Sequence, residues 1–350
     1  MKLKFSRYVT DYDLIRDYVR VIPGSLLLMI SRKNIEKPVL LLLLVPYLLT
    51  GITGCSKSEE LVFYPKKEHY VERNIEYGIN ADTSSNIQHL LLDIYYPSSA
   101  DDTLKYPLVL MIHGGSYLNG TKEWVAPSCE ILADSGFIVA NIDYRQGWRS
   151  CSGGEFTLEE AFYKGMQDAN AALRFLISNA SSYRIDTNWV FIAGESAGAA
   201  IALNCSFINE EVSEKVYPLL AQKLGGLHNS GNEIKQTYTI KGICTKWGSI
   251  SDTTLPARSK EIPVIGFHGT EDSLVPADRG YFLGCTKLPA FGTLCIYRVL
   301  LSNNITCVAH LKTGADHLPD DYTPEFTMSK TAVFFHQIME NRAKSALFIE

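Results

Sequence analysis

Two stretches of this chain hold the residue types needed for acyl transfer by a serine. In Gly194-Glu195-Ser196-Ala197-Gly198 a hydroxyl sits between two glycines. A serine hydroxyl is a weak nucleophile until an adjacent base takes its proton. The apolar run Trp189 to Ala193 precedes the motif, and the small-residue segment Ala199 to Ile208 follows it. Strand, tight turn, helix is the context a nucleophile elbow requires. The glycines remove side chains that would collide in the turn. The N–H of Ala197, at the helix start, is expected to point toward a developing oxyanion. The second stretch, His113-Gly114-Gly115-Ser116-Tyr117, follows the apolar run Pro107 to Ile112. Its glycines let backbone donors come close to a substrate. His113 precedes the serine in the chain, which suits a loop-stabilising role better than that of a base.

Two further loops complete the pattern. His268-Gly269-Thr270-Glu271-Asp272-Ser273-Leu274-Val275-Pro276 follows the strand-like Ile262 to Phe267. Gly314-Ala315-Asp316-His317-Leu318 follows Thr306 to Leu311. These motifs, in the order serine, acid, histidine, resemble the α/β-hydrolase serine esterases, in the carboxylesterase and hormone-sensitive-lipase-like branch. The framework stretches Leu92-Asp93-Ile94-Tyr95, Asp143-Tyr144-Arg145 and Asp168 to Arg174 are similar to that group as well. The resemblance implies Ser196 as nucleophile, Asp272 as acid with Glu271 as fallback, and His317 as base. It implies oxyanion donors at Gly115, Ser116 and Ala197, with Ser116 standing where the family has a third glycine. It implies structural roles for His268 and His113, and no cofactor or metal. Asp143 and Arg145 read as ion-pair or loop residues, and His310 as a core residue of its strand.

The expected activity is hydrolysis of a carboxylic ester through an acyl-enzyme, on small or carbohydrate-linked esters. One alternative is a serine peptidase of the prolyl-oligopeptidase type. That group carries an aromatic residue beside the serine, where this chain has Glu195, and a propeller for which there is no room. Another alternative is a non-catalytic binding protein on the same fold; such proteins typically lose a member of the triad.

The elements around the motifs alternate. Leu90 to Tyr96, Phe137 to Tyr144 and Ile240 to Cys244 read as further strands, while Leu158 to Ser181 and Phe326 to Arg342 read as helices. Continuous apolar strands alternating with helices predict an α/β fold: a mostly parallel central sheet with helices on both faces. Ligands then bind at the carboxyl ends of the strands. Glu210 to Gln236 is less regular and reads as an insertion or a surface excursion.

Composition adds bounds. The 350 residues are 46% hydrophobic and 20% charged, with a net charge of −5. That is ordinary globular usage. No basic stripe appears, so nucleic acid is not an expected partner. Val39 to Ile52 is an apolar run behind Arg32, Lys33 and Lys37. It is too short for a spanning helix but suits a signal-peptide core. Ile52-Thr53-Gly54-Cys55 then resembles a bacterial lipobox, which implies lipidation at Cys55, membrane attachment and an envelope location. A start at Met29 gives a leader of ordinary shape. The expected organisation is an N-terminal extension and signal over 1–54, a tether over 55–70 and a catalytic domain over 71–350. Seven cysteines besides Cys55 lack zinc or CxxC spacing. Export would permit disulfides, and buried free thiols are the equal alternative.

Overall fold

The structure is a computed structural model, and it describes residues 70–81, 86–98, 100–101, 103–149, 155–258, 261–283, 286 and 288–350. The expected signal, the lipidation site Cys55, Cys151 and Cys285 lie outside these residues. Among the described residues no helix is long and apolar enough to cross a membrane.

The strands are β1 (Val71–Ala81), β2 (Ile87–Tyr95), β3 (Tyr106–Ile112), β4 (Ile138–Ile142), β5 (Ile185–Glu195), β6 (Ile240–Lys246), β7 (Val264–Gly269), β8 (Arg279–Tyr281), β9 (Pro289–Phe291), β10 (Cys307–Lys312) and β11 (Ala346–Ile349). The helices are α1 (Ala126–Asp134), α2 (Glu155–Ser178), α3 (Ala197–Phe207), α4 (Glu210–Val216), α5 (Pro218–Leu224), α6 (Leu255–Arg258), α7 (Thr293–Ser302) and α8 (Pro324–Met339). Nine strands form one sheet in the order β1-β2-β4-β3-β5-β6-β7-β10-β11. The β1–β2 and β2–β4 pairs are antiparallel. From β4 through β3 to β11 every pair is parallel. The expected α/β architecture is thus present, with a small β8–β9 hairpin added.

Alternation along each central strand builds two cores. Leu108, Leu110 and Ile112 of β3 face one side, packed with Met166 and Leu173 of α2 and Ile201 of α3. Val109 and Met111 face the other, with Cys129 of α1 and Phe335 of α8. Successive side chains of a strand point to opposite faces, so a strand buried on both must be apolar throughout. Phe191 of β5 stacks on Phe335 at 4.2 Å between ring centroids. Cys129, Cys205, Cys244, Cys295 and Cys307 are buried and free, as in the free-thiol reading.

The order of strands determines where the site falls. From β3 the chain passes to β4 on one side, and from β5 it continues to β6 on the other. The crevice between the carboxyl ends of β3 and β5 is therefore the point where the winding reverses, the usual ligand site of such sheets.

Candidate active site

Ser196 sits between β5 and α3 with φ 52° and ψ −118°. This strained turn lifts the hydroxyl away from the strand end. Gly198 is forced by a close approach: a Cβ there would lie 2.3 Å from the carbonyl oxygen of Ile112 on β3. The elbow is tied to β6 by the Ser196 N–H, which donates to Lys246 O at 2.9 Å.

The hydroxyl of Ser196 donates to His317 Nε2 at 3.0 Å. His317 Nδ1 donates to Asp272 Oδ2 at 2.7 Å. These tautomers are the ones the bonding network permits. His317 is thereby set to accept the serine proton, and the buried Asp272 to hold the ring and offset its charge. The three residues come from loops after β5, β10 and β7, and the fold brings them together as the sequence order implied.

Asp272 is fully engaged. Its Oδ1 accepts from Leu274 N at 2.9 Å and Val275 N at 2.8 Å. Its Oδ2 also lies 3.1 Å from Nε2 of the buried His268. Burial alone would raise its carboxyl, but the bonds from His268, His317 and Val275 outweigh this and hold it well below the usual carboxylate range. Glu271, the fallback acid, is exposed, and its N–H donates to Ala315 O. His268 plays the expected structural part, bonded to Thr293 Oγ1 at 3.0 Å and Val275 O at 2.9 Å.

The loop after β3 reaches the serine. A Cβ on Gly114 would lie 3.2 Å from Cβ of Ser196. Gly115, Ser116 and Tyr117 follow with φ of 112°, 54° and 60°. Three successive residues at positive φ turn the loop sharply. The N–H groups of Gly115, Ser116 and Ala197 donate to no acceptor among the described residues. That leaves all three available as donors. His113 is buried against Tyr144, with ring centroids 4.4 Å apart. Its Nδ1 donates to Gly114 O at 2.6 Å. Burial pulls its pKa down to about 4, so it is neutral and serves the loop. Arg145 pairs with Asp168 at 2.8 Å, and Asp143 lies near Lys122. His310 is buried in β10, stacked between Phe267 and Phe348.

Four residues of this site receive no role from the sequence. Asp316 Oδ1 accepts from His317 N and from Ser273 N, each at 2.7 Å, and so links the histidine loop to the acid loop. Those two N–H groups hold its carboxyl below the usual range. Tyr117 OH donates to Ala197 O at 3.2 Å and so connects the glycine loop to α3. Lys246 is buried and donates to Glu195 Oε1 at 2.6 Å across the β5–β6 register. Trp247, at φ 44°, sets its ring at 68° to His317 with centroids 6.2 Å apart. Only Asp316 had a clue in its position, directly before the base.

Comparison with known proteins bears on the family and the fold. The family model BD-FAE matches residues 92–261, a span that includes Gly115 and Ser196 and stops before Asp272. The chain is 31% identical over 309 residues to the isoprenylcysteine alpha-carbonyl methylesterase ICME of Arabidopsis thaliana, covering 80% of this chain and 67% of that one. It spans about a third, 32%, of the length of the probable isoprenylcysteine alpha-carbonyl methylesterase ICMEL1 of Oryza sativa subsp. japonica. A truncated carbohydrate esterase from gut microbiota has a similar fold, with TM-score 0.54, 17% identity and coverage of 79% of this chain and 99% of that one. Thermogutta terrifontis esterase 2, phosphorylated by paraoxon, aligns with TM-score 0.54, 16% identity and coverage of 81% and 97%. On its residues, its fold and these relatives, the chain belongs to the α/β-hydrolase family of serine esterases.

Proposed function

We propose that the chain hydrolyses carboxylic esters in two steps through an acyl group carried on Ser196. The observation that carries this reading is the unbroken line from Ser196 Oγ through His317 to Asp272. In the first step Ser196 Oγ attacks the carbonyl carbon and His317 Nε2 takes its proton. The oxyanion is received by the N–H groups of Gly115, Ser116 and Ala197. His317 then gives the proton to the leaving alkoxide. In the second step water gives a proton to His317 and attacks the acyl carbon; the acyl–Oγ bond breaks, and His317 returns that proton to Ser196 Oγ as the carboxylic acid leaves.

A burst of 4-nitrophenol from 4-nitrophenyl acetate, followed by a slower steady state, is expected. A phosphonate inhibitor is expected to add its mass, less that of the leaving group and its proton, to the peptide that contains Ser196. Ser196→Ala should abolish both. Full activity in that variant would overturn the assignment.

For substrates we infer small or carbohydrate-linked esters. The named activity of the plant relative, removal of a methyl ester, and the carbohydrate esterase among similar folds both support this range. A panel of chromogenic esters of rising acyl length, run beside acetylated xylan, ranks them. Turnover of none of the panel would refute the range.

We further propose that the mature protein is exported and held at the cell envelope by lipid on Cys55. The Ile52-Thr53-Gly54-Cys55 motif behind the apolar run supports this. Palmitate labelling that persists in Cys55→Ser would rule it out.

A further inference from the structure

Beside the oxyanion loop lies a cavity of about 360 Å³. That is at the small end of ligand-binding volumes. Its walls are aromatic and aliphatic. Tyr117 contacts Phe162 and Phe282 at centroid distances of 6.1 and 6.0 Å, and Phe162 contacts Tyr217 at 6.4 Å. Helix α3 supplies Ala200 and Asn204, one and two turns beyond Ser196, and the Ala200 N–H donates to Ser196 O at 3.0 Å. The irregular insertion supplies one wall through α4 and α5, and the β8–β9 hairpin supplies another through Phe282 and Pro289. Two elements that the esterase mechanism does not use thus enclose one space.

The charge of that space is one-sided. Glu159 and Asp252 line it, and no Lys, Arg or His does so among the described residues. Among the described residues the Asp252 carboxylate accepts from Thr254, from its N–H at 2.8 Å and its hydroxyl at 2.9 Å, both neutral donors. Burial, together with the charges of Glu159 and Asp252, raises the Tyr217 phenol above its usual value, in keeping with both carboxylates facing that wall.

Its place relative to the base bears on which part of an ester it takes. The leaving oxygen must come within reach of His317 Nε2. Neither His317 nor the neighbouring Trp247 lines the cavity. The cavity instead adjoins Tyr117, next to Ser116, and Ala200, one turn beyond Ser196.

We propose that this cavity is the acyl pocket and that Asp252 makes it select acyl groups with an uncharged or cationic end while excluding those ending in a carboxylate. The assignment rests on the esterase reading above. A carboxylate brought beside Asp252 in apolar surroundings is expected to lower kcat/KM by about tenfold or more.

The test compares 4-nitrophenyl esters of matched length: hexanoate, the monoester of adipate, and 6-(trimethylammonio)hexanoate. The wild type should turn over the adipate monoester at least about tenfold less efficiently than hexanoate, and the cationic ester no worse than hexanoate. In Asp252→Asn, which keeps the acceptor for Thr254, the adipate-to-hexanoate ratio should rise toward one. Val216→Trp, at a half-exposed lining position, should lower the hexanoate-to-acetate ratio by filling the space. Equal turnover of adipate monoester and hexanoate by the wild type overturns the proposal. So does discrimination that follows charge on the alcohol arm instead, read with hexanoate esters of 4-hydroxybenzoate and 4-nitrophenol. Failure to hydrolyse any uncharged ester would instead sink the esterase reading, which keeps the two failures distinct.

Discussion

Replacing Asp272 by Asn tests the site most sharply, because the structure dictates how the amide must turn. Asp272 receives four donors: Leu274 N and Val275 N at 2.9 and 2.8 Å on Oδ1, His317 Nδ1 at 2.7 Å and His268 Nε2 at 3.1 Å on Oδ2. Asn offers one acceptor oxygen and one NH2. If the oxygen faced the imidazoles, the NH2 would point at two backbone N–H groups. Leaving buried donors unsatisfied costs about 1 to 3 kcal/mol each. The oxygen therefore stays on Leu274 and Val275, and the NH2 faces His317. His317 must then present a lone pair at Nδ1 and carry its proton on Nε2, aimed at the Ser196 hydroxyl 3.0 Å away. A base already protonated at that nitrogen cannot take the serine proton. The expected loss in kcat is about ten-thousandfold, or roughly 5.5 kcal/mol of barrier. Steady-state turnover of 4-nitrophenyl acetate measures it, and a thermal melt by circular dichroism shows whether the fold survives. Glu271→Gln, at an exposed position, should retain activity. Asp272→Asn within tenfold of wild type would refute the tautomer argument. A large loss in Glu271→Gln would move the acid to Glu271.

Three other outcomes follow from the same geometry. The Asp272 carboxyl is held below its unfolded value of about 3.9. Its contribution to stability is therefore complete above about pH 4 and is lost as pH falls toward the folded value. Thermal unfolding of Asp272→Asn should fall less steeply below pH 4 than that of wild type, and parallel acid limbs would contradict this. Arg145→Lys should destabilise by about 2 to 4 kcal/mol, because one ammonium cannot replace the guanidinium's bonds to Asp168, Gln167 Oε1 and Ala81 O; calorimetry with an unchanged melting temperature would contradict that. Asp316→Ala frees the His317 loop from Ser273 and should lower kcat about tenfold by misplacing the ring, with Asp316→Asn restoring most of it. Equal loss in both variants would deny Asp316 a positioning role.

The sequence revealed the parts of this fold whose residues are constrained by their own neighbours. Strands β3 and β4, with Val190 to Ala193 of β5 and Val264 to Phe267 of β7, are buried on both faces, so apolar residues dominate each run. The elbow is legible because only small residues fit where α3 crosses β3. Other parts had no such local requirement. Strands β8 and β9 have three residues each, too few to show a period. Strand β11 lies at the sheet edge, where Leu347, Phe348 and Ile349 remain exposed, so its pattern reads as a tail. Strand β1 carries Glu72, Arg73, Asn74 and Glu76, and its pairing with β2 is broken by two register shifts. The Lys246–Glu195 pair depends on the alignment of β5 with β6, which joins residues fifty-one positions apart in the chain.

This division has a physical cause in how the loops are held. A catalytic side chain must have a particular chemistry, so its type and its local turn leave a signature. The groups that fix it need only reach across from another loop. Ser273 and His317 meet on Asp316, Thr270 Oγ1 accepts from Gly314 N at 2.8 Å, Glu271 N donates to Ala315 O, and Tyr117 OH reaches Ala197 O. Apart from the local His317–Asp316 bond, each joins segments that follow different strands. Those on the His317 loop restrain the ring, and positioning to within about 0.5 Å separates a working base from a nearby one. The cross-loop bonds become identifiable only once the order of strands has set the loops side by side. Serine, acid and histidine are therefore legible in the chain, whereas the precision of their contact is a property of the sheet.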